Sequence, residues 1–247
     1  DWVQKFQAQV PNSNIIETNT MYPGSRMTTE GHRETLQTNG WTFCEVDIMD
    51  AEGTVSLPVR NYFHLPEVSM GKNLVNYDSI IVLTHFKGHA SGGFGGSLKN
   101  IAIGCADDKI GKRQVHGFKK QTPPTGSDWH DGSMDEREAF MENMADSGKA
   151  TCDYFGKRIV FLNVMRRLSV DCDCAGTSAK EPTMADIGIL ASTDILAIDQ
   201  ACCDFVYSAK DSADLRERIE SRHGLRQLSA MAEHKMGNPQ YELIYVD

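Results

Sequence analysis

The chain has 247 residues and a formal net charge of −9, with 40% hydrophobic and 24% charged residues. It is long enough for one sizeable core, and its composition is ordinary for a globular protein. The acidic balance disfavours nucleic acid as a partner, because non-specific binding to phosphates needs a basic surface. No apolar run approaches membrane-spanning length, and no signal peptide is visible. We expect a cytoplasmic protein without a membrane partner, and the sequence predicts no oligomeric state.

The first third of the chain predicts short elements separated by loops. Residues 1–10 have a helical pattern, and residues 14–17 are typical of a short strand. A helix opening at Thr28 is expected to stop near Gly40, which suits a C-terminal cap. The segments 42–48 and 54–59 predict a hairpin around a turn at 51–53.

The rest of the chain alternates between strand and helix patterns, which predicts an α/β fold of mixed sheets with flanking helices. A glycine-rich strand–loop–helix stands at its centre. We expect a single domain over 1–247, as part of a longer chain that has lost an N-terminal piece. The predicted elements are a strand at 77–84, a long loop at 119–134, a helix at 134–154, strands at 158–164 and 185–191, a helix capped by Ser192 or Thr193 and running to 209, helices to 236, and a strand at 241–246.

The stretch from His85 to His116 is the strongest functional signal. Glycine between a strand and a helix lets the backbone turn tightly and approach a ligand. With the helix N-terminus, its amides would form an anion or cofactor seat. The plainer interpretation is a tight turn without a ligand. The predicted cofactor-binding residues are Gly92, Gly93, Gly95, Gly96 and Lys99. Neither the phosphate-loop motif nor the dinucleotide fingerprint is present, which disfavours nucleotides.

Histidine and lysine side chains around these glycines predict proton-transfer or metal chemistry. Two imidazoles facing one carbon can remove a proton and return it. A histidine can also bind a transition metal, and a lysine can hold a carbonyl-bearing cofactor covalently. His32 lies at a predicted helix start, where a histidine is more often a cap or a surface group.

The seven cysteines form a second candidate only at Cys172 and Cys174. These two could bind a metal, but a structural zinc site needs four ligands, so a plain loop is an equal alternative. Cys202 and Cys203 lie on an apolar helix pattern and are expected in the core. An odd number of cysteines without a disulfide framework favours reduced thiols. No ferredoxin-type cysteine run occurs, which argues against an iron–sulfur cluster.

Several motifs resemble an uncharacterised domain-of-unknown-function family described as iron–sulfur centre proteins. The most specific is LTHFKGHASGGFGGSLKNIAIGCA followed by GK and His116, and further matches are YPGSRMTTEGH, VDCDC, DIGILASTDILAIDQAC and GNPQYELIYV. The likeness covers nearly the whole chain. The family's name derives from cysteine clusters that this chain lacks.

The chain is also distantly similar to the nickel-pincer lactate racemase family. That resemblance implies that His32 and His89 are proton-transfer residues, that Lys99 tethers a pyridinium-derived cofactor, and that His116 ligates the metal. The interval from His89 to Lys99 agrees with the family's motif. Leu98 stands where the family has an arginine, so the resemblance supplies no contact for a substrate carboxylate.

We therefore expect a metal- or metal-cofactor-dependent enzyme with racemase- or isomerase-like proton-transfer chemistry on a small anionic metabolite. The alternative is a non-catalytic iron–sulfur or metal-centre redox protein that uses Cys172 and Cys174, and a third is a ligand-binding domain without catalysis. If the enzyme hypothesis holds, His32, His89, Lys99 and His116 should share one pocket. Lys99 should point into its glycine lining.

Overall fold

The computed structural model describes residues 2–118 and 137–246. The predicted loop at 119–134 lies outside them. The fold is mixed α/β, as predicted. The helices are α1 Trp2–Gln7, α2 Thr29–Thr38, α3 Ser97–Gly104, α4 Gly111–His116, α5 Arg137–Phe155, α6 Ile195–Ser208, α7 Ala213–Ser221 and α8 Arg226–Glu233. The strands are β1 Ile15–Glu17, β2 Val46–Ile48, β3 Thr54–Pro58, β4 Glu67–Gly71, β5 Ile80–His85, β6 Lys87–His89, β7 Gly93–Gly95, β8 Ile159–Met165 and β9 Gly188–Ser192.

A three-stranded sheet in the order β5-β8-β9 forms the centre of the fold. Strand β8 (IVFLNVM) runs parallel to β5 and antiparallel to β9. Its apolar composition suits a strand covered by helices, since parallel pairs are normally buried on both faces. Helix α3 packs on β5, and α6 packs on β8. The glycine-rich segment that precedes α3 is thereby held at the end of β5.

The predicted hairpin between 42–48 and 54–59 is wrong. Strand β2 pairs in parallel with β1, and β3 pairs antiparallel with β4. The Asp50 carboxylate explains the first pairing, because it accepts the Asn19 backbone N–H at 3.0 Å and the Asn19 side-chain amide at 3.1 Å. These bonds hold the chain that leaves β1 beside the chain that leaves β2.

Two further expectations also differ from the structure. Helix α6 is capped by Asp194, whose Oδ1 accepts the Ala197 N–H at 2.9 Å, and not by Ser192 or Thr193. Residues 241–246 form no strand in the part of the chain that is described, and Val246 is 90% exposed. A strand-like sequence stays irregular without a partner for its backbone hydrogen bonds.

The glycine-rich segment is a small hairpin, in which β6 pairs antiparallel with β7. Phe86 and Phe94, both fully buried, stack with ring centroids 5.5 Å apart and anchor this hairpin in the core. The Gly88 N–H donates to the Ser169 carbonyl at 2.7 Å. A Cβ at Gly88 would lie 2.1 Å from the Val170 carbonyl oxygen, so only glycine fits there. Across the described ranges, no helix has the length and apolar content needed to cross a membrane.

Candidate active site

His32 is a buried histidine on the first turns of α2, with 1% of its surface exposed. Its Nδ1 lies 3.3 Å from Asn19 Oδ1. The Asn19 amide nitrogen donates to Asp50 Oδ1 at 3.1 Å and to Thr29 Oγ1 at 3.0 Å, so Asn19 Oδ1 is the acceptor. The His32 Nδ1 therefore carries the proton, and Nε2 presents a lone pair. The expectation of a cap or surface group is wrong for this residue.

The electrostatic surroundings keep His32 neutral. Desolvation is the main cause that lowers the His32 pKa from 6.5 to about 4, and the positive charge of Arg26 adds to it. Asp50 acts in the opposite direction but does not compensate. At neutral pH the imidazole is thus neutral and presents a lone pair at Nε2, which can accept a proton, and its pKa of about 4 makes it a weaker base than an ordinary histidine.

Arg26 is a candidate residue that the sequence reasoning missed. It is half-buried and lines the same groove as His32. Within residues 2–118 and 137–246 its guanidinium makes no hydrogen bond and no ion pair. Its charge acts on both His32 and Lys99. The signal in the sequence was an arginine inside an acid-free stretch, residues 18–29, just before the histidine.

Lys99 lies on the first turn of α3 and is partly buried. A Cβ at Gly95 would be 3.6 Å from Lys99 Cδ and 3.9 Å from Lys87 Cε, so both lysines cross the face of this glycine. Loss of solvent, and after it the charge of Lys87, lower the Lys99 pKa to about 8, with Asp173 acting in the opposite direction. Among the described residues, the Lys99 amine has no hydrogen-bond or ion-pair partner. A lysine in this state is partly unprotonated near neutral pH and is nucleophilic.

The predicted anion seat at the N-terminus of α3 is occupied by the protein itself. Asp199 of α6 accepts the Ser97 N–H at 2.8 Å and the Leu98 N–H at 2.9 Å. Its Oδ1 also accepts the Asn163 side-chain amide at 2.8 Å. Burial raises the pKa of Asp199 to about 6, against these hydrogen bonds. This carboxylate satisfies the helix N-terminus and offsets the unfavourable position of Lys99 in the helix dipole.

The four glycines predicted to bind a cofactor differ in what they face. A Cβ at Gly96 would lie 2.4 Å from Asp199 Oδ1. Gly93 has φ of +78°, and its Cβ would lie 2.8 Å from Gly224 Cα. A Cβ at Gly92 would be 3.2 Å from the ring of His89. Internal packing thus explains Gly93 and Gly96, while Gly95 faces the lysines.

His89 is held by a different hydrogen bond from that of His32. Its Nδ1 accepts the Gly92 N–H at 2.8 Å, so Nε2 carries the proton. Burial lowers the His89 pKa well below its ordinary value, and the charges of Lys99 and Lys87 contribute. A second proton at Nδ1 would face the Gly92 N–H. In this arrangement His89 is a hydrogen-bond donor through Nε2, and its proton-transfer role stays a prediction.

His116 ends helix α4 and resembles His32 in its tautomer. Its Nδ1–H donates to the Lys112 carbonyl at 2.7 Å, which places the lone pair on Nε2. The ring stacks on Phe118 and Phe140 with centroids 5.8 and 5.2 Å away. Burial lowers the His116 pKa to about 4. A neutral imidazole with a lone pair on Nε2 is a suitable metal ligand.

The four predicted residues form two neighbouring groups. His89, Lys99 and His116 act on one another electrostatically. Two of the charges that act on His32 also act on the other group. The charge of Arg26 acts on Lys99, and that of Lys112 acts on Lys99 and His116. A groove of about 1100 Å³ is lined by His32 and Arg26, while the other three lie outside its lining. The ammonium of Lys112 is buried and donates to Thr18 Oγ1 at 2.5 Å and to the Ala106 carbonyl at 2.6 Å.

The predicted metal ligands Cys172 and Cys174 are joined by a disulfide. Neither sulfur is then the thiolate that metal binding needs, so this state of the pair provides no ligand. The residue between them, Asp173, accepts a bond from Lys87 Nζ at 2.8 Å and lies 3.0 Å from His85 Nδ1. In the described ranges no three His, Cys, Asp or Glu side chains lie together as a metal site. Metal binding by the two cysteines remains a prediction for the reduced protein.

Comparisons with known proteins identify a family and a distant structural likeness. The profile of the family "Domain of unknown function (DUF362)" matches residues 2–204. The solved structures include the lactate racemase apoprotein from Thermoanaerobacterium thermosaccharolyticum, with a TM-score of 0.37 and 15% identity. The match covers 78% of this chain and 48% of that chain, so it spans about half the length of the solved protein. The comparison with curated proteins found no match.

Proposed function

The chain belongs to the DUF362 family, whose description names no activity, and from the geometry of the site we propose that it is an isomerase-type enzyme. The proposed reaction is proton transfer on a small carboxylate, with His32 as the base. The observation that carries the proposal is the pair of His32 and Arg26. A neutral imidazole with a fixed lone pair stands in one groove with a guanidinium that has no partner in the described residues.

The chemistry of each group supports one role. The Arg26 guanidinium would bind the substrate carboxylate, because its fork of N–H donors matches two carboxylate oxygens. His32 Nε2 would take a proton from the bound molecule and return it to the other face of the planar intermediate after that intermediate turns in the groove. Asn19 and Asp50 hold the ring in the tautomer that accepts the proton. His89 presents an N–H at Nε2 but lies outside the lining of this groove, so we assign it no contact with the substrate.

The resemblance to nickel-pincer racemases implies a metal–organic cofactor, and part of the side chains fit one. The partly unprotonated Lys99 amine suits covalent attachment, and the His116 Nε2 lone pair suits ligation. The described residues offer no three-ligand metal site of their own, so the organic part of such a cofactor would have to supply most of the metal ligands. Lys99 and His116 would hold such a group, and when bound it would supply an electron-pair acceptor.

The test uses protein purified from its native host, which carries any cofactor that it holds. L-Lactate is the first probe, because the resemblance is to lactate racemases. We expect D-lactate to form, as measured by chiral chromatography. His32→Gln should lower the rate by at least about 100-fold, the usual contribution of a general base. Arg26→Gln should mainly raise KM.

The exposed His223 provides the matched control, and His223→Gln should leave the rate unchanged. Circular dichroism would show that each variant is folded. A fully active His32→Gln enzyme would contradict the base role. Failure of the wild-type protein to isomerise lactate or other 2-hydroxy acids would contradict the reaction class.

A further inference from the structure

We infer that the substrate of this site is a carboxylate that carries an extended apolar or aromatic body, rather than a three-carbon acid. This inference rests on the proposed function for the position of the carboxylate, at Arg26. The groove that contains Arg26 and His32 has a volume of about 1100 Å³. Cavities of this size match ligands much larger than a three-carbon acid, since pockets of roughly 300–1000 Å³ hold drug-sized molecules.

The apolar lining of the groove begins one helical turn from His32. Leu36 lies four residues after His32 on α2, and both side chains line the groove. Positions four apart occupy the same helix face, with Cβ atoms about 6 Å apart. Trp41 continues the lining. Its backbone N–H donates to the Leu36 carbonyl at 2.9 Å, and this bond holds the chain against the end of α2. An apolar group attached beside the reacting carbon would therefore meet Leu36 and then Trp41.

Other parts of the lining are also apolar and partly exposed. Trp2 of α1 and Ile81 of β5 line the groove and are 42% and 38% exposed, and Trp41 is 37% exposed. Helix α1 has no buried residue of its own. Contiguous exposed apolar groups in a concave surface are typical of binding sites, and tryptophan offers a large flat contact for an aromatic ring.

Among the arginines that line the groove, Arg26 is the one that could bind an acidic head group. Two other arginines of the groove are already paired: Arg166 with Asp186 at 3.0 Å, and Arg167 with Glu181 at 2.8 Å. The Arg26 guanidinium has no such partner in the described ranges. A monocarboxylate with its acid at Arg26 and its apolar body on Leu36 and Trp41 complements this distribution.

The experiment compares the binding of L-lactate and L-2-hydroxy-4-phenylbutanoate by calorimetry, using the purified full chain. We expect the phenyl acid to bind at least about tenfold more tightly, since each buried methylene contributes about fourfold. Trp41→Ala should reduce that preference to below about threefold, with Trp2→Ala as the second variant. Arg26→Gln should weaken both acids and keep their ratio. The exposed residues Tyr62 and Arg60 lie outside the groove lining, so Tyr62→Ala and Arg60→Gln are matched controls.

Equal affinity for the two acids, or a preference that survives both tryptophan replacements, would overturn the inference. Absence of binding of either acid would overturn it too, and a dimer detected by gel filtration would then assign the apolar surface to a second copy. Failure of the proposed function gives a different result. In that case the phenyl acid binds with its Trp41-dependent preference, but neither acid is isomerised.

Discussion

A hydrogen bond at Nδ1 orients each of the three site histidines and decides what its Nε2 can do. Nδ1 is a donor in His32, towards Asn19, and in His116, towards the Lys112 carbonyl. It is an acceptor in His89, from the Gly92 N–H. Two residues that the sequence motif treats as an equivalent acid–base pair, His32 and His89, thus present opposite functions at Nε2: one lone pair and one N–H.

At the residue scale, we predict that His32 makes the free energy of unfolding depend on pH. The folded protein holds the His32 pKa at about 4, against 6.5 for an ordinary histidine. Below pH 6.5 the unfolded chain binds a proton at His32, whereas the folded chain does not until the pH is near 4. The contribution of the neutral His32 to the stability of the fold is therefore complete above pH 6.5 and is lost as the pH falls to 4. The loss is up to about 3 kcal/mol in the free energy of unfolding.

Urea unfolding at a series of pH values would measure this effect as the difference between wild type and His32→Gln. That difference should change steadily between pH 6.5 and 4 and stay constant above pH 7. The exposed His223→Gln variant should run parallel to wild type. A constant difference for His32→Gln across the whole range would contradict the buried, neutral state of His32.

At the scale of elements, the glycine hairpin β6–β7 and helix α3 are joined to α6 through one carboxylate. Asp199 accepts the first two amides of α3 and the Asn163 amide from β8, so three elements meet at this group. The same carboxylate requires a glycine at position 96, whereas Gly95 faces only the lysine side chains. Steric conflict with a buried carboxylate therefore excludes a side chain at position 96 but not at position 95.

The element-scale prediction compares alanine at these two positions. Gly96→Ala places a Cβ 2.4 Å from Asp199 Oδ1, which must move away from the helix N-terminus. We expect a loss of about 2–4 kcal/mol, the range for overpacking combined with unpaired buried N–H groups. Gly95→Ala makes only van der Waals contact at 3.6 Å with Lys99, so it should fold almost normally. Thermal and urea unfolding would measure both, and equal losses would contradict the role of Asp199.

At the scale of the whole molecule, four cationic side chains lie at the candidate site of a protein whose net charge is −9. Arg26, Lys87, Lys99 and Lys112 act electrostatically on the site histidines or on one another. Lys87 is neutralised by Asp173, while Arg26 and Lys99 have no ion-pair partner among the described residues. The carboxylates of Glu17, Asp50, Asp107 and Asp108 act on Lys112, so Arg26 and Lys99 are the cations that an anionic ligand could meet.

The whole-molecule prediction is that protein from its native host carries a covalent group on Lys99. Its amine is partly unprotonated, and its aliphatic stem passes Gly95, where no Cβ fills the space beside it. Intact-mass spectrometry should find an adduct that Lys99→Ala lacks, and peptide mapping should place it on residue 99. The matched control is Lys149→Ala, which removes a lysine engaged in an exposed pair with Asp153 and should keep the adduct. An unmodified wild-type mass would contradict the tether.

The sequence by itself determined the features that depend on neighbouring residues. Periodicity placed α2, β5, β8 and α6 close to their observed bounds, because helix and strand periods are local properties of the chain. Composition and motif singled out the glycine segment and its histidines. The family resemblance was also carried by contiguous motifs, and the match over residues 2–204 agrees with it for the domain of unknown function.

The tertiary structure decided what depends on residues far apart in the chain. The partner of β2, the Asp199 carboxylate at the start of α3 and the Asn19–Asp50 support of His32 all join segments whose proximity no local pattern encodes. The tertiary structure also decides that Arg26 has no ion-pair partner in the described residues, because this depends on which carboxylates the fold brings near it. Hydrogen bonds and desolvation act through space, and they assign tautomers and charges only after the chain has folded.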